Sequence, residues 1–344
     1  MVLKQNVGID VSMDTFDVNL TLMDENFDKQ CKGRKKFNNN EEGFVKLLDW
    51  IDKHMCNDIE ISYTMEFTGV YYERLAYWLK SSKQIVFVVI PSKAKWYCAS
   101  LSKSSKTDKL DAQALSWMGL ERQLKEWNPL SLGFLNLRTL TREREELLKE
   151  KTVVKNRLHA TCKKAIGQVN TVARYHQRLQ IVVEQIAEIE REILALIKED
   201  ELLYDKVENI TTIPGVALIT AATVIAETNG FSAINNQKQL TSYAGLDVKI
   251  KESGKYKGNS KISKQGNSHI RRVLHFPAQT AIIHNKPLSV FYKRINEHKI
   301  KPMIAGVGVQ RKLLCLIYIL WKTDNTFDPY YEINKYHKIM KKVG

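Results

Sequence analysis

The sequence lacks paired cysteines. Its five cysteines stand far apart and none belongs to a C-x-x-C pair: Cys31, Cys56, Cys98, Cys162 and Cys315. Zinc modules need closely spaced cysteines, and small secreted folds need an even set that can pair. The pattern argues against both classes and favours a reducing cytoplasm.

Long hydrophobic runs are also missing. The longest, Leu313–Trp321, is far shorter than the roughly 20 apolar residues that cross a bilayer. No signal peptide precedes the first expected strand, which begins near Asn6. We therefore expect an intracellular protein with no membrane partner.

Acidic residues are scarce relative to basic ones. Lysine and arginine number 53 against 38 aspartates and glutamates, which gives a net charge of +15 in 344 residues. Between Gly245 and Phe276 only Asp247 and Glu252 oppose eight basic residues: Lys249, Lys251, Lys255, Lys257, Lys261, Lys264, Arg271 and Arg272. Such an excess indicates a polyanionic partner, nucleic acid above all, although a merely basic protein is the alternative. Arg271 and Arg272 could present guanidinium groups to phosphates.

Alternating apolar residues predict strands in the first third of the chain, and helical patterns lie between them. The expected strands are Asn6–Val11, a hairpin of Thr15–Met23 with Gln30–Phe37, Ile59–Glu66 and Ile85–Ile90, the last closed by Pro91. The expected helices are Glu41–His54 and Tyr71–Lys80. Strands that alternate with helices predict an α/β domain over residues 1–128, a sheet flanked by helices.

The middle of the chain has no proline and few glycines. From Leu132 to Val207 the only glycines are Gly133 and Gly167. Apolar residues then recur at coiled-coil spacing: Leu179, Val182, Ile186, Ile189, Ile193 and Leu196. Residues 129–207 are therefore expected to form a long helical, coiled-coil arm, folded either as an intramolecular hairpin or against another chain.

The last part, residues 208–344, is expected to be a mainly α domain. Ile213-Pro214-Gly215-Val216 before an apolar helix looks like half of a helix-hairpin-helix, whose backbone amides face a DNA phosphate. An ordinary Pro-Gly turn is the alternative. Val309–Trp321 predicts a largely buried helix that completes the core.

Four acidic residues stand where a metal site could form. Asp10 and Glu66 end expected strands, and Asp108 and Asp111 lie three apart near the start of an expected helix, with Thr107 as a candidate N-cap. Clustered carboxylates need cations between them, and Mg²⁺ takes oxygen ligands. Each acid alone could equally be a turn or cap residue.

The motifs resemble a known family. GIDVS (8–12) followed by a hairpin is similar to the start of a ribonuclease-H-like fold of the Holliday-junction-resolvase kind. EFTG (66–69) and KTDKLDA (106–112) resemble the DEDD-type transposases of insertion sequences and their relative, the pilin-gene invertase Piv. The resemblance implies that Asp10, Glu66, Asp108 and Asp111 bind Mg²⁺, or Mn²⁺, at a scissile phosphate.

The C-terminal part resembles the second domain of the same transposases, through YAGLD (243–247), ESGK (252–255) and the residues up to Leu274. That likeness implies a serine nucleophile, and Ser253 in the Ser-Gly motif matches it, with Ser260 and Ser263 as nearby rivals. It further implies donor and target DNA as partners, a structured non-coding guide RNA, a homo-oligomer such as a tetramer or dimer of dimers, and a place in the prokaryotic cytoplasm at the nucleoid.

The expectation is thus a transposase or site-specific recombinase. Two other functions remain open: a metal-dependent nuclease or junction resolvase in which Ser253 is incidental, and a nucleic-acid-binding protein without catalysis.

Overall fold

The structure is a computed structural model that describes residues 1–67, 69–101, 108–129, 131–249, 252–253, 256–257, 261–297 and 302–331. Within these ranges only the backbone is described for Ser92, Asp108, Lys109, Glu252, Ser253, Tyr256 and Lys257. The chain divides into two compact units, Met1–Pro129 and Leu130–Gly344. Thr107 and Ser260 lie outside the described residues.

The first unit is built on a five-stranded mixed sheet. Its strands are β1 (Val2–Val11), β2 (Thr15–Asp24), β3 (Lys29–Asn38), β4 (Ile61–Glu66) and β5 (Ile85–Val89), in the order β3-β2-β1-β4-β5. The first three strands form an antiparallel meander, whereas β4 runs parallel to β1 and β5 parallel to β4. The strands and the α/β character predicted for this part are confirmed.

Four helices accompany this sheet: α1 (Glu41–Asp52), α2 (Tyr71–Ser81), α3 (Pro91–Ser100) and α4 (Asp108–Glu121). The sequence interpretation missed α3, because Pro91 was taken only as the end of a strand. In the structure Pro91 lies in the first turn of the helix, where its missing N–H group is not needed.

Helix α4 lies directly on the sheet, with no side chain between the two at position 8. A Cβ atom added to Gly8 of β1 would stand 2.0 Å from the carbonyl oxygen of Ala112. One added to Gly119 would stand 2.4 Å from the side chains of Asn6 and Thr64. Two glycines, one on each element, therefore permit this close approach.

The second unit is mainly helical, as predicted. Its helices are α5 (Leu132–Cys162), α6 (Val169–Lys198), α7 (Glu201–Thr211), α8 (Leu218–Thr228), α9 (Gln237–Tyr243), α10 (Ser268–Val273), α11 (His275–His284), α12 (Lys286–Asn296) and α13 (Pro302–Thr323). Four two-residue strands stand between α9 and α10: β6 (Val248–Lys249), β7 (Glu252–Ser253), β8 (Tyr256–Lys257) and β9 (Lys261–Ile262).

Helices α5 and α6 are the long helices predicted for the middle of the chain. They pack against each other, and Arg144 of α5 pairs with Glu190 of α6 at 2.6 Å. Toward the rest of the unit, Leu137, Ile193 and Ile197 are fully buried in the same core as α7, α8 and α13. The packing is that of an intramolecular helical hairpin; its coiled-coil character stays a prediction.

The turn proposed as half of a helix-hairpin-helix connects α7 to α8. Gly215 has a φ of +102°, a conformation that favours glycine. An added Cβ would stand 2.7 Å from the carbonyl oxygen of Pro277, so α11 covers this side of the turn. Binding of a phosphate by this element stays a prediction.

The apolar run Leu313–Trp321 belongs to a longer helix. The 22 residues of α13 are long and apolar enough to cross a membrane by length and composition alone. Half of the relevant stretch is buried inside the protein, however, and Val309, Leu313 and Ile317 are fully buried in the core. Packing against the core accounts for the apolar composition, and the helix predicted over Val309–Trp321 lies within α13.

Candidate functional site: a carboxylate edge and a serine-bearing ribbon

Asp10 and Glu66 lie side by side on neighbouring strands. The parallel register of β1 and β4 pairs Gly8 with Thr64 and Ile9 with Met65, so Asp10 and Glu66 follow at the same level. Parallel neighbours are about 4.8 Å apart, and residues two apart in a strand share a face of the sheet. Gly8 and Thr64 both contact α4, so Asp10 and Glu66 lie on the α4 face.

Helix α4 brings its own acidic residues to the same edge. It runs against the direction of β1, because Ala112 lies over Gly8 whereas the later Gly119 lies over Asn6. The first turn of α4, which begins at Asp108 and includes Asp111, therefore extends toward the end of β1 that carries Asp10. The structure thus places all four predicted positions at one edge of the sheet.

The side chains at this edge are only partly described. Asp10, Glu66 and Asp111 are partly buried, and Asp10 and Glu66 each have a further contact within the protein. Among the described side chains, no three of His, Cys, Asp or Glu are grouped so as to hold a metal ion. The side chain of Asp108 is not among them, and the four-ligand site stays a prediction.

Ser253 lies on a narrow β-ribbon of the second unit. Strand β6 pairs with β9, and beyond them β7 pairs with β8, where Ser253 is opposite Tyr256. In the chain the β7–β8 pair lies between β6 and β9, and two residues separate Ser253 from Tyr256. We call residues 248–262 the serine ribbon.

The root of the serine ribbon is fixed by close backbone contacts. Gly245 and Gly266 have positive φ values of +66° and +152°. A Cβ on Gly266 would stand 2.4 Å from the carbonyl oxygen of Tyr243. The amide of Lys264 donates to the carbonyl of Gly245 at 3.0 Å, and that of Asn267 donates to the carbonyl of Tyr243 at 2.7 Å. These hydrogen bonds and close approaches therefore fix the backbone conformation at the base of the ribbon.

Ser263, a rival for the nucleophile, is part of this root. Its hydroxyl donates a hydrogen bond of 2.5 Å to a carboxylate oxygen of Asp247, and its amide donates to the Asp247 carbonyl at 2.8 Å. A hydroxyl held in this way closes the base of the ribbon. The contact disfavours Ser263 as the nucleophile, and the role of Ser253 stays a prediction.

Arg271 and Arg272 also support the root. One guanidinium nitrogen of Arg271 donates to the carbonyls of Ala244, Gly266 and Asn267. Arg272 pairs with Glu145 of α5 at 2.5 Å. Part of each guanidinium group is therefore engaged within the protein, and contact of either arginine with phosphate stays a prediction.

A buried carboxylate, Glu227 of α8, links the arm to the ribbon root. Its side chain is 1% exposed and accepts two hydrogen bonds from Arg142 of α5, at 2.6 and 2.9 Å. Asn267, the N-cap of α10, donates a third at 2.6 Å. Burial alone would raise the pKa of Glu227, but the hydrogen bonds and charge of Arg142, with Asn267, outweigh it and hold the pKa below its ordinary value.

Replacing Arg142 with methionine is expected to destabilise the protein by about 3 kcal/mol at pH 7, because it leaves a buried carboxylate without its cation. The lowered pKa stabilises the folded state above the ordinary glutamate pKa, and this contribution is lost as the pH falls through the folded-state value. The difference between wild type and variant should therefore shrink at pH 4. Urea unfolding at both pH values measures it.

Arg191→Met, at an exposed position of α6, is the matched control and should cost well under 1 kcal/mol. The role given to Glu227 would be contradicted if Arg142→Met and Arg191→Met lost equal free energy of unfolding. It would also be contradicted if the loss in Arg142→Met did not depend on pH.

Sequence reasoning missed Glu227, Arg142 and Glu145. Each belongs to a helix whose pattern reads as ordinary, and their partners lie 85 or 124 residues away in the chain. The available signal was that Glu227 is the single charged residue among the apolar residues and threonines of α8.

Two family models match the chain. A transposase model of the DEDD, IS110 type matches residues 7–167, which include the carboxylate edge. A model described as the transposase IS116/IS110/IS902 family matches residues 207–293, which include the serine ribbon.

Similar proteins are known from several bacteria. The pilin gene-inverting protein of Moraxella lacunata is 29% identical over 332 residues, covering 94% of this chain and 98% of that protein. The transposase for insertion sequence element IS1111A of Coxiella burnetii is 22% identical over 211 residues, covering 54% of this chain and 57% of that protein. Among solved structures, Thermus thermophilus RuvC is similar over 36% of this chain and 99% of its own, with 9% identity and a TM-score of 0.28.

Proposed function

This chain belongs to the DEDD transposase family of the IS110, IS116 and IS902 insertion sequences and is a DNA recombinase, and we propose that it works through its carboxylate edge and Ser253. The observation that carries the proposal is the in-register placement of Asp10 and Glu66 on the face covered by α4, whose acidic first turn extends to the same edge.

The donor set at this edge suits a hard divalent cation. Carboxylates on adjacent strands repel one another unless cations or protons neutralise them. Asp10, Glu66, Asp108 and Asp111 would hold Mg²⁺, or Mn²⁺, through oxygen atoms only, as these ions prefer. The ion would supply stabilisation of charge at the scissile phosphate.

Ser253 is the proposed nucleophile. Its hydroxyl oxygen forms a bond to the phosphorus of the scissile phosphodiester as the bond to one strand oxygen breaks, and the serine proton leaves while that oxygen becomes a hydroxyl. A hydroxyl on the new partner strand then attacks the same phosphorus and releases the serine. One phosphodiester is broken and one is formed, so the exchange needs no nucleotide cofactor.

Several parts of the proposal concern organisation. We assign residues 1–128 to a ribonuclease-H-like catalytic domain, 129–207 to the helical arm and 208–344 to the serine-bearing domain. Donor and target DNA are the substrates, a structured non-coding RNA is the guide, and a tetramer or dimer of dimers is the active form. Cytoplasmic DNA at the nucleoid is the place of action.

The test is a recombination assay with the full chain, a circle that carries donor and target sites, and RNA transcribed from the flank of the gene. New donor–target junctions are expected with Mg²⁺ and none with EDTA, scored by amplification across the junction. Free broken ends without junctions would indicate a nuclease or resolvase instead. Binding without breakage would indicate a non-catalytic protein.

A further inference from the structure

The far end of the α5–α6 hairpin is free of acidic residues. Residues 151–183 contain no aspartate or glutamate, but they contain seven lysines and arginines: Lys151, Lys155, Arg157, Lys163, Lys164, Arg174 and Arg178. We call this segment the basic tip. The remaining parts of the two helices, 132–150 and 184–198, carry eight acidic and six basic residues. Charge is therefore segregated along one hairpin.

The basic side chains of the tip face solvent. Six of the seven are exposed, and Lys151 is partly exposed. Within the described part of the chain none of the seven takes part in an ion pair, whereas Arg144 and Lys149, nearer the core, pair with glutamates. The tip therefore presents its positive charge to an outside partner.

This arrangement is unfavourable for the free protein. Lys151 and Lys155 are four residues apart on α5, and Arg174 and Arg178 are four apart on α6. Like charges at this spacing destabilise a helix by a few tenths of a kcal/mol per pair. A solvated helical surface would normally intersperse glutamates, and a polyanion bound at the tip would offset the repulsion.

We propose that the basic tip binds the phosphate backbone of a duplex nucleic acid. The inference rests on the proposed function, since a protein that recombines DNA meets such a duplex. Helix α5 is continuous from Glu145, which contacts the ribbon root through His269, to Cys162 at the tip, where Lys163 is the C-cap. Those 18 residues span about 27 Å, or about eight base pairs of a duplex. The tip would thus contact phosphates well away from the reacting strand.

The experiment compares a tip variant with a matched control. The tip variant carries Lys155→Gln, Arg174→Gln and Arg178→Gln, and the control carries Arg191→Gln, Lys198→Gln and Lys238→Gln, also at exposed positions. Binding of the full chain to a 30-base-pair DNA duplex (~100 Å long), and to the RNA duplex of the same sequence, is measured in EDTA from low to moderate salt.

The tip variant should bind roughly a hundredfold more weakly near 0.1 M salt, and its salt slope should fall by about 0.9 for each phosphate that the variant no longer neutralises. The control should keep the wild-type slope. Weaker binding to DNA alone, to RNA alone or to both identifies which backbone the tip uses. An unchanged slope on both duplexes would overturn the proposal.

Two further measurements keep the result interpretable. Vesicles containing phosphatidylglycerol test a lipid surface, because Ile166, between the helices, and Val169, the first residue of α6, are each 80% exposed beside the basic residues. A loss of binding confined to vesicles also overturns the proposal. The thermal unfolding temperature of the tip variant should match or exceed that of wild type, because repulsion between the basic side chains is relieved.

Binding in EDTA needs no strand breakage. A wild-type protein that binds through its tip but never cleaves would therefore contradict only the proposed catalysis.

Discussion

Replacing Asp10 with asparagine is expected to lower Mg²⁺-dependent DNA cleavage by about a thousandfold or more while DNA binding is retained. Asparagine keeps the shape of the side chain but removes the negative charge that a cation needs. Loss of a metal-ion contribution of several kcal/mol corresponds to this factor, because about 1.4 kcal/mol is tenfold in rate. Cleavage and strand exchange are followed on a labelled substrate, and binding is measured separately.

Asp58→Asn serves as the matched control, since Asp58 is exposed and lies before β4, outside the strand itself. It should cleave at the wild-type rate. If the Asp10→Asn protein were fully active, the carboxylate edge would have no role in cleavage. A variant that fails to bind as well would indicate a folding defect, which thermal unfolding would reveal.

Replacing Ser253 with alanine is expected to abolish the covalent protein–DNA intermediate, a loss of at least about a thousandfold in strand exchange, because a methyl group cannot attack phosphorus. The intermediate is detected as a labelled DNA strand that migrates with the protein in a denaturing gel. The variant should bind DNA normally, since Ser253 lies in the β7–β8 pair and the described root contacts are made by other residues.

Ser263→Ala separates the two serines. It removes the hydrogen bond to Asp247 and should cost about 1 kcal/mol of stability, yet leave the covalent intermediate in place. If Ser263→Ala abolishes the intermediate and Ser253→Ala does not, the nucleophile is misassigned. If Ser253→Ala still yields broken strands with free ends, the protein is a nuclease in which the serine is incidental.

The sheet could be predicted because its signal is local. In β2 the buried side chains continue along nearly the whole strand, and Thr15–Met23 pairs with the next strand across a short polar turn, so each residue pattern predicts its own element. Asp10 and Glu66 could be placed for the same reason, since Glu66 ends a predicted strand and Asp10 is the last residue but one of another. Their adjacency follows from the strand order, which no local pattern specifies.

The features that escaped prediction depend on distant partners or on weak local signals. The serine ribbon consists of two-residue strands in a segment rich in glycine and lysine. Strands of this length are too short to show an alternating pattern of apolar residues. Glu227 reads as an exposed helix residue until Arg142, 85 positions earlier, is brought against it. Nothing local to Arg271 indicates that its guanidinium group donates to carbonyl groups of the root. Tertiary contacts decide the last two.

The contact between Gly8 and α4 also constrains the gene. Every amino acid other than glycine would add a Cβ within 2.0 Å of the Ala112 carbonyl oxygen, and the helix that carries Asp108 and Asp111 would have to move. All glycine codons begin with GG and end in any base. At codon 8, therefore, changes at the third base keep the glycine, whereas any substitution that alters either G would introduce a side chain or a stop where α4 leaves no room for a Cβ atom.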